Sequence, residues 1–179
     1  MVEEKKEPWL NYLALTTVIF AVCATLSTFK GGGFSTRSVL NQSHAANQWA
    51  YYQAKSIKGY LYELQKEKLE LELKAMGSKV PKSLIDEYEK KIDYYSKNIK
   101  RYEEEKAQIQ KEARKFEALH DDAQRHAQTF GIAVIFLQIA ILLSSIAALM
   151  KKKPVWVLGL ITGAFGVVYF LNGFFLFIK

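Results

Sequence analysis

The chain has 179 residues, half of them hydrophobic, with 25 basic against 18 acidic side chains and a net charge of +7. Its single cysteine excludes an internal disulfide, so the redox compartment is not legible from it. The positive surplus excludes little by itself, but it is spread thinly among acids rather than gathered into a patch, which argues against nucleic acid as a partner.

Residues 1–8 read as a short cytoplasmic amino terminus carrying Lys5 and Lys6. Residues 9–29 hold no ionisable side chain, and a helix of that length rises roughly 30 Å, the thickness of a bilayer core. A soluble core helix of this length keeps a polar face toward water, and this block has none. The block is also longer than the apolar core of a cleavable signal peptide, so it reads as a retained transmembrane helix. Val22 stands where a lipoprotein signal wants a small residue before Cys23, which speaks against lipidation. Residues 30–35, with Gly31, Gly32 and Gly33, read as a flexible Gly-rich elbow. They do not read as a phosphate cradle, because no strand precedes them and no Gly-Lys-Ser/Thr follows.

Residues 36–128 read as an extramembrane helical hairpin: a helix over 36–76, a turn over 77–81 and a helix over 82–128. The region 30–128 carries 19 of the 25 basic and 15 of the 18 acidic residues, a surplus of 19 − 15 = 4, as a solvated helical surface would. On the outgoing side Ile85, Tyr88, Ile92, Tyr95, Ile99, Tyr102, Lys106, Ile109, Ala113, Phe116, His120 and Ala123 alternate spacings of three and four, the signature of a coiled-coil-like seam. On the incoming side Ala50, Ala54, Ile57, Leu61, Leu64, Lys68, Leu71 and Ala75 keep the same spacing. Gly77 just past one helix and Pro81 at the start of the next supply the punctuation. Folding at about residue 79 brings Ile57 near Ile99 and Tyr102, Leu64 near Ile92 and Tyr95, Lys55 near Glu103, and Arg37 near Asp121 and Asp122. Tyr51, Tyr52, Tyr60, Tyr62 and Tyr94 exceed what one narrow seam buries, which points to a homo-oligomer.

Residues 129–150 read as a second transmembrane helix continuous with the hairpin, 151–154 as a Lys-rich loop, and 155–178 as a third transmembrane helix. A short loop of Lys151, Lys152 and Lys153 belongs on the cytoplasmic side, which puts the hairpin on the other side of the membrane. The spans contain no Asp, Glu, Lys, Arg or His, against an ion-coupled transporter, which needs such groups at depth. Gln138, Ser144, Ser145 and Asn172 read as interhelical hydrogen-bond partners. Gly159, Gly163 and Gly166 form a small-residue face that predicts span packing.

No catalytic, cofactor-binding or metal site is expected. His44, His120 and His126 lack ligand spacing, and the last two fall on different helix faces. Lys106 in the apolar seam could serve as an activated base, but a lone Lys at a core position more often sets register or extends its amine to water. The decapeptide Asn47-Gln48-Trp49-Ala50-Tyr51-Tyr52-Gln53-Ala54-Lys55-Ser56, followed by Leu137-Gln138-Ile139-Ala140-Ile141 and Ser144-Ser145-Ile146-Ala147, resembles a family of bacterial membrane proteins described as domain of unknown function 4337. The resemblance covers nearly the whole chain and implies a multi-pass protein of the bacterial inner membrane with one span before the hairpin and two after it. It brings no assigned activity.

Within the decapeptide, Trp49 and Tyr52 either pack the stem while Asn47, Gln48 and Gln53 satisfy one another, or the set Asn47, Gln48, Trp49, Tyr52, Gln53 and Lys55 is an interaction surface. The fold class read from the sequence is an all-α membrane protein with three transmembrane helices and a long antiparallel coiled-coil-like hairpin between the first two. The expected function is a membrane-anchored, self-associating helical scaffold. Its expected partners are the lipid bilayer, further copies of itself and a protein on the hairpin, with no nucleic acid and no cofactor. The alternative is a homo-oligomeric pore.

Overall fold

A computed structural model describes residues 8–77 and 81–178. Among these residues the chain forms three α-helices and no strand: α1 over Trp9–Ala75, α2 over Lys82–Met150 and α3 over Lys153–Phe175. Each carries a stretch long and apolar enough to cross a membrane. Lys5 and Lys6 of the expected cytoplasmic terminus, and Ser78, Lys79 and Val80 of the expected turn, lie outside the described residues.

The helix ends follow their local chemistry. Gly77 sits just past α1 at a φ of 65°, a left-handed conformation that glycine adopts without a Cβ clash. The Pro81 carbonyl accepts from the amides of Leu84 and Ile85 and so opens α2. Between α2 and α3 the connection is shorter than the expected loop 151–154. Lys151 turns the chain at a φ of 52°, and α3 already begins at Lys153 with Pro154 in its first turn, where the missing amide removes no hydrogen bond. At the other end α3 stops at Phe175 rather than 178. Asn172 holds this end, accepting from the Ile178 amide at 2.8 Å and donating to the Ile178 carbonyl at 3.3 Å. It thus caps its own helix instead of bridging to a neighbour.

The expected Gly-rich elbow over 30–35 is absent, because α1 passes through Gly31, Gly32 and Gly33 as helix. Three glycines weaken a helix by about 1 kcal/mol each relative to alanine. Tertiary contact outweighs that here: a Cβ on Gly31 would lie 3.0 Å from the Phe130 Cβ, so the absent side chain is what lets α1 and α2 approach. The Thr36 hydroxyl donates to the Gly32 carbonyl at 3.0 Å, which ties the stretch into the helix.

The chain divides into two units, one joining the chain through Leu40 with the chain from Leu119 onward, the other being Asn41–Ala118. The first unit packs the apolar stretches of all three helices. Its core holds Phe20 with Ala133, Leu137 and Ala140, and a second cluster of Trp9, Leu13 and Ala147. Trp9 and Trp156 lie ring to ring at 5.9 Å, and the Trp156 indole donates to the Thr16 hydroxyl at 3.3 Å.

The glycine face of α3 packs as its spacing predicts. A Cβ on Gly159 would press on Leu143 and Ser144 at 3.3 Å, one on Gly163 would fall inside the Phe20 ring, and one on Gly166 would lie 2.7 Å from Leu137 Cγ. Gly173, a residue the spacing argument left out, is equally committed, with the Phe130 ring 2.6 Å from where its Cβ would be. These contacts yield a paired prediction. Gly163→Ala should destabilise the detergent-solubilised protein by about 1–3 kcal/mol through overpacking against a ring. Gly32→Ala, whose Cβ meets nothing within 4 Å, should instead stabilise it by about 0.5–1 kcal/mol by removing a flexible residue from a helix. Thermal unfolding followed by circular dichroism in one detergent reads both, and equal shifts would contradict the packing.

Candidate interaction surface

In the unit Asn41–Ala118 the two helices run past one another in opposite senses. His44 stacks on Phe116 at 5.1 Å, Lys55 pairs with Glu105 at 2.6 Å, Tyr62 meets Tyr95 at 5.7 Å and Tyr88 donates to Glu72 at 3.2 Å. On α2 the seam read from the sequence faces inward: Tyr102, Lys106, Ile109 and Ala113 are buried, and Ile85, Tyr88, Ile92, Tyr95, Ile99 and Phe116 are half-buried.

On α1 the packed face is not the expected one. Ile57, Leu61, Leu64 and Leu71 are 61, 56, 63 and 59% exposed, whereas Ala45 and Gly59 are buried and Gln48, Trp49, Tyr52, Lys55, Ser56, Tyr62, Lys66, Leu69 and Leu73 are half-buried. Gly59, two residues from Ile57, lies on nearly the opposite side of a helix. The Ile57 and Leu64 contacts with α2 expected from the sequence are therefore replaced by contacts of Gly59 and Tyr62. Gly59 sets the reason: at that position the backbone of α1 can lie against Tyr102, whose Cβ is 3.6 Å from where a glycine Cβ would be, and an Ile there would hold the helices apart.

The decapeptide consequently splits between two faces. Trp49 donates its indole proton to Glu117 at 2.7 Å and meets Tyr52 edge to face at 5.5 Å. Lys55 reaches Glu105 with its ammonium 5.2 Å from the Tyr51 ring centre and 5.5 Å from that of Tyr102. Gln48 and Lys55 line a shallow hollow with Glu105, Gln108 and Glu112. Asn47 and Gln53 lie at the exposed surface. The sequence paired Lys55 with Glu103, but its partner is Glu105, two positions on, and Glu103 instead holds Lys106 at 2.7 Å, three positions away on its own helix. Nor is Arg37 paired with Asp121 or Asp122 among the described residues; its guanidinium lies 5.8 Å from the Phe34 ring centre.

The electrostatics follow these pairings. The hydrogen bond from Lys55 holds the Glu105 carboxyl below its ordinary value, and the same bond raises Lys55. Lys106, with its ammonium 5.7 and 5.6 Å from the Tyr52 and Tyr60 ring centres, is raised chiefly by its bond to Glu103. It stays protonated, opposite to what a general base requires. Tyr62, Tyr94, Tyr95 and Tyr102 form a ring cluster with centroids 5.7–6.3 Å apart, in which the hydrogen bond with Tyr94 raises the Tyr62 hydroxyl. Tyr62 and Tyr94, surplus to a narrow seam by spacing, thus pack against the seam residues Tyr95 and Tyr102. The pairs Tyr94-Tyr95 and Tyr62 near Gly59 were the available signal.

The histidines do not converge. In the other unit His120 Nδ1 meets the Ser38 hydroxyl at 2.8 Å and the Ser38 carbonyl at 3.0 Å, while His126 Nδ1 meets the Gly173 carbonyl at 2.7 Å and its ring stacks on Phe34 at 4.4 Å. Each thus ties one helix to another. Among the described residues no group of three or more His, Cys, Asp or Glu side chains could hold a metal ion.

The fold and this surface define an all-helical protein with three helices able to cross a membrane and a polar, aromatic two-helix stem. The chain belongs to the family described as Domain of unknown function (DUF4337), whose profile matches residues 9–176. No curated protein and no solved structure matches it.

The ion pair across the stem sets a pH dependence. Because Glu105 has a depressed value in the folded chain, its contribution is complete above the ordinary carboxylate value near 4.5 and is lost as pH falls through the lower folded value. The melting temperature of the full chain in detergent should drop as pH falls below about 4.5, and in Glu105→Gln the drop should be shallower. Parallel pH profiles for the two proteins would mean that the Lys55–Glu105 pair does not hold the stem.

Proposed function

We propose that the protein is a membrane-anchored helical scaffold that self-associates and presents its coiled-coil-like hairpin to a protein partner. It is placed in the bacterial inner membrane as a three-span protein, with the hairpin in the periplasm because the short Lys151-Lys152-Lys153 connection stays cytoplasmic. The observation that carries the reading is how the stem uses its side chains. Lys55 with Glu105, Trp49 with Glu117 and Tyr88 with Glu72 match polar groups between α1 and α2, while the outward side of α1 offers Ile57, Leu61, Leu64 and Leu71 to solvent. Exposed apolar surface of that extent marks an interaction site.

The apolar stretches support a scaffold over a pore. Their hydroxyls are turned inward or bonded to their own helices: Ser27 and Ser144 are wholly buried, and Thr25, Thr28, Ser145 and Thr162 donate to carbonyls three or four residues back. Leu15, Val18, Val22, Leu26 and Phe29 of α1 face outward, and the polar side chains exposed among the apolar stretches, such as Thr25, Thr28, Gln138 and Ser145, are few and scattered over two helices. A conducting lumen lined by several copies needs polar groups on that outer side.

Two measurements test the proposal. The mass of nanodisc-embedded protein should correspond to a small assembly without conductance in planar bilayers; a closed ring of four or more copies with steady conductance would replace the scaffold by a pore. Trypsin added to spheroplasts should cleave within the Lys- and Arg-rich hairpin. Cleavage only after the membrane is opened would reverse the assigned orientation.

A further inference from the structure

We infer that the outward stripe of α1 is a self-interface, through which two copies anchored in one bilayer join their α1 helices in parallel at Ile57, Leu61, Leu64, Lys68 and Leu71. This rests on the scaffold reading and names the partner, the face and the direction. The first argument is asymmetry. Within Asn41–Ala118 the large exposed hydrophobics of α1 are Tyr51, Ile57, Tyr60, Leu61, Leu64 and Leu71, whereas α2 exposes only Tyr94. The apolar excess therefore belongs to one side of the stem.

The second argument is spacing. Ala54, Ile57, Leu61, Leu64, Lys68, Leu71 and Ala75 alternate steps of three and four, the pattern that keeps a seam facing a partner helix over its whole length. The helix α2 already occupies the other side of α1, through Gly59, Tyr62 and their neighbours, so this second seam is open for a further helix. Its four aliphatic side chains, Ile57, Leu61, Leu64 and Leu71, are each more than half exposed, so pairing two copies withdraws apolar surface from water along the whole seam.

The third argument is direction and charge. Copies inserted the same way into one membrane carry their α1 helices in the same sense, so the seam meets itself in register. Ile57, Leu64 and Leu71 then each face their own counterpart. Lys68 enters the space framed by the second copy's Leu64, Glu67, Lys68 and Leu71. Its ammonium, 3.9 Å from Glu72 of its own helix, gains the second copy's Glu67, so two lysines meet four carboxylates. A Lys at one core position of a paired seam fixes register, since a slip of one heptad sets one copy's Lys68 against Leu61 and the other's against Ala75.

The test uses the purified full-length protein in nanodiscs, with Cys23→Ser as background and single Ile57→Cys, Leu64→Cys, Leu71→Cys and Tyr94→Cys variants. Under copper-phenanthroline oxidation the first three should each form a disulfide dimer and Tyr94→Cys should not, because only in-register parallel helices bring all three counterparts within the ~7 Å Cα separation a disulfide tolerates. A dimer at only one of the three would indicate antiparallel helices and overturn the inference. As a second variant with Cys23 intact, Leu61→Glu/Leu64→Glu should halve the number of chains per nanodisc with its helical circular dichroism retained. An assembly that neither crosslinks at these positions nor dissociates in the double variant would overturn this interface while leaving self-association standing. A particle that is monomeric at every protein load would overturn both. Shielding of the cysteine at position 64 from a water-soluble maleimide without any disulfide would assign the stripe to lipid instead.

Discussion

Helices surrounded by lipid gain little by withdrawing apolar surface from their solvent, because the solvent is itself apolar; what holds them is close van der Waals contact where side chains are smallest. The apolar unit of this protein, whose helices are long and apolar enough to cross a membrane, is packed in the way that constraint favours. Gly159, Gly163, Gly166 and Gly173 run down one side of α3, and Phe20 of α1 with Leu137 and Phe130 of α2 sit where their side chains would have been. Gly31 on α1 does the same for Phe130. Phe130 is thus the point at which all three helices meet, wholly buried and flanked by Phe170 and Phe174 at 6.3 and 5.0 Å.

The stem obeys a different solvent. In water a packed seam can be polar where its charged groups are matched, and here Trp49 meets Glu117, Lys55 meets Glu105, Lys106 meets Glu103 and Tyr88 meets Glu72, while the buried Ser56 hydroxyl has no partner. Such contacts contribute modestly one by one, exposed ion pairs at most about 1 kcal/mol. What they supply is direction, because each admits few alternatives along the helix. The aliphatic side chains of α1 are left on the outside, and both functional proposals follow from that division.

Much of this was legible in the chain. Three uncharged apolar stretches require helices, because an unpaired backbone group in hydrocarbon costs several kcal/mol. Gly77 and Pro81 bound the hairpin, and the α2 seam from Ile85 to Ala123 turns inward as its spacing implies. The glycine face of α3 could be located from its steps of three and four, although Gly173 could not, since Phe170 interrupts the run between it and Gly166. The partner of Lys55 was out of reach, because a shift of two residues moves an ion pair without altering any pattern in the sequence.

The sequence by itself determined that the chain is helical, where its candidate membrane spans lie and where it reverses, since these depend on composition and local backbone preference. Only the tertiary structure decided which side of α1 meets α2. Two stripes with the same spacing run along that helix, one of Ile and Leu, the other of Gly59, aromatic rings and charged side chains. Hydrophobicity favours the first. The second wins because Gly59 lets the backbone of α1 come close to Tyr102 and because its acids and bases find complements on the facing helix, properties that belong to a pair of surfaces and not to either one alone. The same rule explains why Gly31, Gly32 and Gly33, a flexible hinge by propensity, stand inside a continuous helix: the partner, Phe130, is 99 residues away in the chain, 130 − 31, and no local reading includes it.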